Sequence, residues 1–170
     1  MKKRTLGVNK NILPDGFLER LQNIIPSSFL VVRQTFVKRP TTFRINRIKT
    51  LKMPLENIKT ALINGGFKFK DVPWYKDAFI LVNKSKRDLT DLNIYSEGKI
   101  YIQSLASMIP PLVLDPKPGE KVLDLTAAPG SKTSQIAGMM RDKDASMPRG
   151  ELIANDNNKV RFFKLKHNME

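Results

Sequence analysis

Apolar positions along the chain alternate between helical and strand spacing. Residues 11–25, NILPDGFLERLQNII, set Phe17, Leu18, Leu21, Ile24 and Ile25 at helical intervals, with Asp15 as the expected N-cap and Pro26 as the stop. SFLVVRQTFVKRP is apolar with a basic tail and no clear period. In TTFRINRIKT, Phe43 and Ile45 alternate with Arg44 and Asn46, the pattern of a half-buried strand. LENIKTALING repeats Leu55, Ile58 and Leu62 along one helical face, and Gly65-Gly66 ends it. FKFKDVPWYKDAFILV gives two short strands around a turn at Pro73. The expected order is helix, strand, helix, strand, strand.

A second pattern starts after residue 95. Ile100 to Ile102 form a short strand, and a helix starts over Ser104 to Met108 that Pro110-Pro111 should disturb. LDPKPGE is a tight polar turn leading into a strand, Val122–Leu125. A helix begins near Ser131. RDKDASMPRG reads as a charged surface loop, ELIAND as a strand, and NNKVRFFKLKHNME as a helix. Strand–helix–strand–helix implies parallel strands joined by a crossover, the α/β doubly wound plan. The expected division is a small α/β domain over 1–95 and the start of a doubly wound domain over 96–170. Parallel sheets have several strands and both faces covered, so two strands are expected to be part of a larger sheet.

Charge divides the chain in the same way. The formal total is +14, of which residues 1–70 carry +12 and the remainder +2. A local excess of this size attracts a polyanion, and phosphate contacts dominate sequence-independent affinity for nucleic acid. The plainer reading is a soluble lysine-rich surface. Arg44, Arg47, Lys49 and Lys52 lie on or beside the strand where the excess concentrates, and they are the expected RNA-backbone contacts. Trp74-Tyr75 beside Lys76 has the composition of a base-stacking platform, although an aromatic pair after proline more often packs in a core.

There is no cysteine, which excludes disulfides, a cysteine zinc site and a catalytic thiol on these residues. The single His167 sits in a basic helical tail and reads as solvated rather than as a metal ligand. No apolar run approaches a membrane span, and Met1-Lys2-Lys3-Arg4 is not followed by a signal-peptide core. An intracellular protein without a membrane partner is expected, cytoplasmic or nucleolar according to the organism.

The segment VLDLTAAPGSKTSQ runs from strand through small-residue loop to helix, the place where open parallel sheets hold ligands. It has one glycine, Gly130, so it is not a three-glycine dinucleotide turn. Ser131 separates Gly130 from Lys132 and no upstream glycine exists, so it is not a P-loop. A methyltransferase turn remains. Ala127, Ala128 and Gly130 are small enough for backbone to approach a ligand, and Asp156 at the end of ELIAND is an acid for ribose hydroxyls. An ordinary capping role explains Asp156 as well. Asp124 reads as a residue that fixes the loop.

DLTAAPGSKT (124–133) resembles the D-x-x-A-A-P-G-G-K-T motif of the Sun/Fmu family of RNA cytosine-C5 methyltransferases. YIQSLASMIPPLVLDPKPGEKVLDL resembles the segment preceding that motif, Ala154-Asn155-Asp156 the family's A-N-D motif, and FRINRIKT the R-x-N-T-L-K strand of its RNA-contacting domain. The likeness covers at least residues 28–170. Thr126 and Ser131 depart from the more frequent Cys or Ala and Gly.

The resemblance implies an α/β fold: a small basic RNA-contacting domain followed by the first part of a class I, Rossmann-like, S-adenosyl-L-methionine (AdoMet)-dependent domain. It implies that Thr126, Ala127, Ala128, Pro129, Gly130, Ser131 and Lys132 wrap the methionine part of AdoMet, that Asp156 takes the ribose and that Arg161 lies near the cofactor. Lys132 and Arg161 also suit solvated helix positions, and helix capping explains Ser104 as well as a functional role does.

C5 of cytosine is a poor nucleophile, and a thiolate adding to C6 activates it. The family uses two cysteines for this, downstream of the motifs present here. These residues are therefore expected to be inactive alone and to form part of a longer ribosomal or transfer RNA methyltransferase, completed by a C-terminal half or a partner chain. The rival reading is a non-catalytic RNA-binding protein with a methyltransferase remnant. A methyltransferase for protein or small molecules fits the +12 segment poorly.

Overall fold

A computed structural model describes residues 13–37, 39–51, 53–141 and 150–170. The chain forms two compact units, Met1–Arg39 and Pro40–Glu170. In the first, α1 (Asp15–Ile24) is followed by a 3₁₀ turn (Pro26–Ser28) and α2 (Phe29–Gln34). The cap of α1 is Pro14 rather than Asp15. Pro14 has an extended backbone, and its carbonyl accepts from Phe17 N at 2.9 Å, so Asp15 is the first helical residue. Pro26 ends α1 as expected and opens the 3₁₀ turn, where its missing N–H costs nothing. The segment without a clear period is α2, and Phe36 meets Phe17 edge to face at 5.6 Å.

The second unit contains β1 (Thr42–Ile45), α3 (Leu55–Asn64), β2 (Phe69–Val72), β3 (Tyr75–Leu81), α4 (Lys86–Thr90), α5 (Asn93–Ser96) and β4 (Ile100–Ile102). The strands form one antiparallel sheet in the order β2-β3-β1-β4. β4 hydrogen-bonds along β1, Phe43 opposite Ile102 and Ile45 opposite Ile100, so the sheet continues across the division expected at 95/96.

All four residues of β1 are buried, where alternation predicts a half-exposed strand. The reason is its place at the centre of a sheet covered on both faces. On one face Phe43, Ile45, Phe79 and Ile100 pack with Ile58 and Leu62 of α3 and Leu89 of α4. Phe43, Phe69 and Phe79 form an aromatic cluster there, with centroids 5.2–6.2 Å apart. The opposite face carries Val72 and Ala78 against Met108. Burying each of these large side chains stabilises the sheet by about 1.5–3 kcal/mol.

Met108 belongs to α6 (Leu105–Leu114), which runs straight through Pro110 and Pro111. Ser104 caps it, accepting from Ser107 N. Pro111 has no N–H for the carbonyl of Ser107 four residues back, and Gln103 Nε2 supplies that hydrogen bond at 2.9 Å. The helix therefore survives the proline pair through a side chain borrowed from the end of β4.

Beyond α6, β5 (Lys121–Asp124), α7 (Ser131–Met139), β6 (Glu151–Ala154) and α8 (Lys159–Met169) follow. β5 and β6 are parallel and in register, with Asp124 opposite Ala154, as the strand–helix–strand pattern requires. The surface loop read from RDKDASMPRG falls mostly on 142–149, outside the described residues. Leu123 and Ile153, paired in register, are more than half exposed. Among the described residues, no helix is long and apolar enough to cross a membrane.

Candidate functional site

The parallel strands β5 and β6 end side by side, and the chain leaving each builds one bend. Asn155 N donates to Asp124 O, and Ala127 N donates back to Asn155 O, both at 2.8 Å. The Asp124 carboxylate accepts from Thr133 Oγ1 at 2.8 Å, which ties the strand end to the first turn of α7 and gives Asp124 the loop-fixing position. Gly130, at φ 101°, turns the chain into α7. A Cβ there would lie 3.0 Å from Leu165 Cδ1 of α8, so a packing neighbour also requires glycine.

α8 closes over the bend. Leu165 packs on Ala127 and Ala128. Asn168 Nδ2 donates to Pro129 O at 2.7 Å, and Arg161 Nη2 donates to Ala128 O. The Asp156 side chain is only 2 % exposed. Its Oδ2 accepts from Ala128 N at 3.2 Å and faces Arg161 Nη2 at 3.4 Å, and its Oδ1 accepts from Asn158 N at 3.1 Å. The helix cap is Asn158, whose side chain accepts from Arg161 N at 3.0 Å. Asp156 and Arg161 thus brace the bend from one side. Thr126, Pro129 and Lys132 remain exposed on the other.

In kind, these residues fit a small ligand with a carboxylate and vicinal hydroxyls. The first N–H groups of α7, beginning at Ser131 and Lys132, have no intrahelical partner and favour a negative group. Asp156 offers acceptors for hydroxyls at the end of the neighbouring strand, in exchange for its hydrogen bond to Ala128 N. The free N–H groups at the start of α7 and the Asp156 carboxylate thus offer a donor set and an acceptor set beside one bend.

The four expected RNA contacts separate in the structure. Arg44 is 1 % exposed, and its guanidinium is spent internally. Its Nε donates to Gln103 Oε1 at 2.9 Å, and Nη2 donates to Ser131 O at 2.8 Å and Ser134 Oγ at 2.7 Å. Tyr101 lies against it, 5.2 Å from ring centroid to guanidinium carbon. Burial pulls its pKa down from the ordinary value, with Tyr75, Tyr101 and Asp77 opposing. Buried and held by these partners, the guanidinium is out of reach of a phosphate, so Arg44 is corrected from surface contact to internal tie between β1 and α7.

Arg47 is partly open and grips the Asp77 carboxylate with Nε at 2.8 Å and with Nη2. That hydrogen bond raises its pKa. Lys49 is half-buried, and its stem lies under Gly98. Lys52 lies outside the described residues.

Sequence reasoning missed Ser134 and Gln135 of α7. Gln135 Nε2 donates to Met108 O at 2.9 Å, and its Oε1 accepts from Gln103 Nε2 at 3.4 Å. Polar residues on the inner face of a helix were the available signal. The Trp74–Tyr75 pair divides its roles: Tyr75 packs beside Val72 and Met108, whereas Trp74 is 48 % exposed with its ring stacked on Tyr75 at 6.5 Å and 14°.

Residues 111–170 match the family described as 16S rRNA methyltransferase RsmB/F. The chain is 44 % identical over 110 residues to a tRNA (cytosine(49)-C(5))-methyltransferase of Pyrococcus abyssi, covering 65 % of this chain and 33 % of that protein. It is 34 % identical over 164 residues to a ribosomal RNA small subunit methyltransferase F of Vibrio parahaemolyticus, covering 93 % of this chain and 32 % of that protein. The chain thus spans about one third of these relatives' length. A methyltransferase homologue from Pyrococcus horikoshii superposes with a TM-score of 0.66 at 32 % identity, over 92 % of this chain and 53 % of the other. The fold also matches NSun6 from Pyrococcus horikoshii, solved with SFG, at a TM-score of 0.72 and 17 % identity, over 92 % and 62 %.

Proposed function

We propose that this chain, whose residues 111–170 match the RsmB/F methyltransferase family and which resembles RNA methyltransferases along most of its length, is the RNA-facing and cofactor-facing part of an RNA cytosine-C5 methyltransferase. The observation that carries the proposal is the joint bend after β5 and β6. Small residues, a helix N-terminus and a buried acid converge there within hydrogen-bond distance.

AdoMet is the proposed cofactor, and it supplies the electrophilic methyl group when bound. Thr126 to Lys132 and the start of α7 would hold its methionine part, the helix N-terminus taking the carboxylate. Asp156 would receive the ribose hydroxyls, with Arg161 fixing the acid's orientation. None of the 170 residues is a cysteine, so the thiolate that adds to C6 is not supplied by these residues.

The proposed substrate is ribosomal or transfer RNA. Support comes from the +12 charge of residues 1–70 and from the substrates named for the relatives. Arg47, Lys49 and Lys52 remain the proposed backbone contacts, and Arg44 holds the RNA-facing sheet to the cofactor helix.

Methyl transfer is the test. The full protein carrying these residues, given labelled AdoMet and unmodified RNA, should label cytosine at C5. Asp156→Ala should raise the KM for AdoMet roughly tenfold or more, the value of a hydrogen bond to a charged group. Label appearing only on protein or small molecules would overturn the reading.

A further inference from the structure

We propose that a groove of ≈ 1320 Å³ in the Pro40–Glu170 unit, walled by the Trp74 turn, the chain after β1 and the C-terminal ends of α6 and α7, binds a short single-stranded RNA segment, with one unpaired base stacked on Trp74. It lies along α7 up to Arg141, away from the bend at the helix start. The proposal rests on the RNA reading above and adds to it a defined site and the form of RNA taken.

Three observations carry it. Trp74 is the chain's single tryptophan, and nearly half of its surface is open although its ring is backed by Tyr75. A large apolar ring held flat at the mouth of a groove is a surface on which a base face can stack. The cations around it are the second. Lys49, Lys76 and Arg141 line the groove without an ion-pair partner among the described residues. The two acids of the lining are each neutralised, Asp77 by Arg47 and Asp115 by Lys117. The groove is therefore positive overall, as a phosphodiester chain requires.

The third observation is architectural. The Tyr75 ring packs beside Met108 of α6, and Arg47, paired with the buried Asp77, lies against Gly138 of α7, so the platform stands on a buried layer. A rigid aromatic loses little entropy when a base stacks on it. Duplex RNA keeps its base faces inside the stack, so it cannot use the ring, whereas an unpaired base can.

Tryptophan emission is a direct reporter, because no second tryptophan contributes. Titrating the chain with an unstructured single-stranded RNA of about a dozen nucleotides, within the span that such grooves bind, should quench that emission in step with binding. Binding to labelled RNA, followed by anisotropy, should weaken roughly five- to a hundredfold in Trp74→Ala and far less in Trp74→Phe, which keeps a ring. Lys76→Gln should lower the slope of log affinity against log salt by roughly 0.7. A duplex of the same sequence should bind with little dependence on Trp74. Tight RNA binding with unchanged emission and an unchanged Trp74→Ala affinity would overturn the groove and leave RNA binding elsewhere on the chain. Absence of any RNA binding would overturn both readings. Quenching in the unaltered chain stands as evidence even if an alanine variant misfolds.

Discussion

Arg44 on β1 donates a 2.7 Å hydrogen bond to Ser134 Oγ on α7, and the same nitrogen reaches Ser131 O at the start of that helix. The contact joins the sheet with the excess charge to the helix that begins at the proposed cofactor bend. Arginine suits it because a planar fork can serve Gln103 with one arm and α7 with the other. Desolvation opposes the charge, but a guanidinium does not lose its proton in proteins, so the cost must be offset by these hydrogen bonds.

Arg44→Met should therefore destabilise the chain by about 3 kcal/mol, since three buried acceptors lose a charged donor. Arg44→Lys should recover less than half, because an ammonium is a point charge without the fork. Urea unfolding followed by circular dichroism measures both. A loss under about 0.5 kcal/mol for the methionine variant, the range of ordinary surface changes, would show that the tie is not structural.

Gly138→Ala reverses a general rule. Alanine in a helix interior normally gains roughly 0.5–1 kcal/mol over glycine. In α7 the added Cβ would stand 2.9 Å from Arg47 Cβ, and forcing the sheet and helix apart costs about 1–3 kcal/mol. A net loss of stability is expected, measured by the same unfolding curves. A gain would mean that α7 and the turn after β1 have room to move apart.

Gly130→Ala should cost more, because the φ of 101° and Leu165 at 3.0 Å penalise the methyl group together. The strain falls on the proposed cofactor bend. Calorimetry on the full protein should show AdoMet affinity falling alongside stability, whereas Gly16→Ala, with open space around it, should leave affinity unchanged.

Tyr75 gives a pH dependence. Burial pushes its hydroxyl up to about 12, with the positive charges of Arg44 and Arg47 pulling the other way. In the unfolded chain it ionises near the ordinary value of 10.0. Its contribution to stability is complete below that pH and is lost as the pH rises through about 12, because the unfolded state releases the proton first. Burial raises Tyr101 as well, so ultraviolet titration of tyrosinate should show more than one late-ionising group, of which Tyr75→Phe removes one. The wild-type protein should lose stability over that alkaline window more steeply than the variant.

Much of this organisation was legible in the residues, and the exceptions have physical causes. The helices over 15–24 and 55–64 and the parallel β5–β6 pair follow from periodicity, because local spacing determines them. The proline pair predicts a disturbed helix, and a donor from outside the helix, Gln103, replaces the N–H that Pro111 lacks. Arg44 was read as exposed because alternation with Phe43 and Ile45 reports which face a residue takes, not whether another layer covers that face. The motif located the bend. It gave no sign that α8 would occupy Ala128 O and Pro129 O, since those contacts join residues more than thirty positions apart.

The seam where β4 meets β1 governs how this chain can be recombined with its relatives. A chimaera cut at 95/96 would part Ile100 and Ile102 from their β1 partners and bring in a foreign residue at 103, where Gln103 serves both Arg44 and the proline-containing helix. Hybrids exchanged as the whole stretch from 40 onward keep sheet, glutamine and helix as one inherited block.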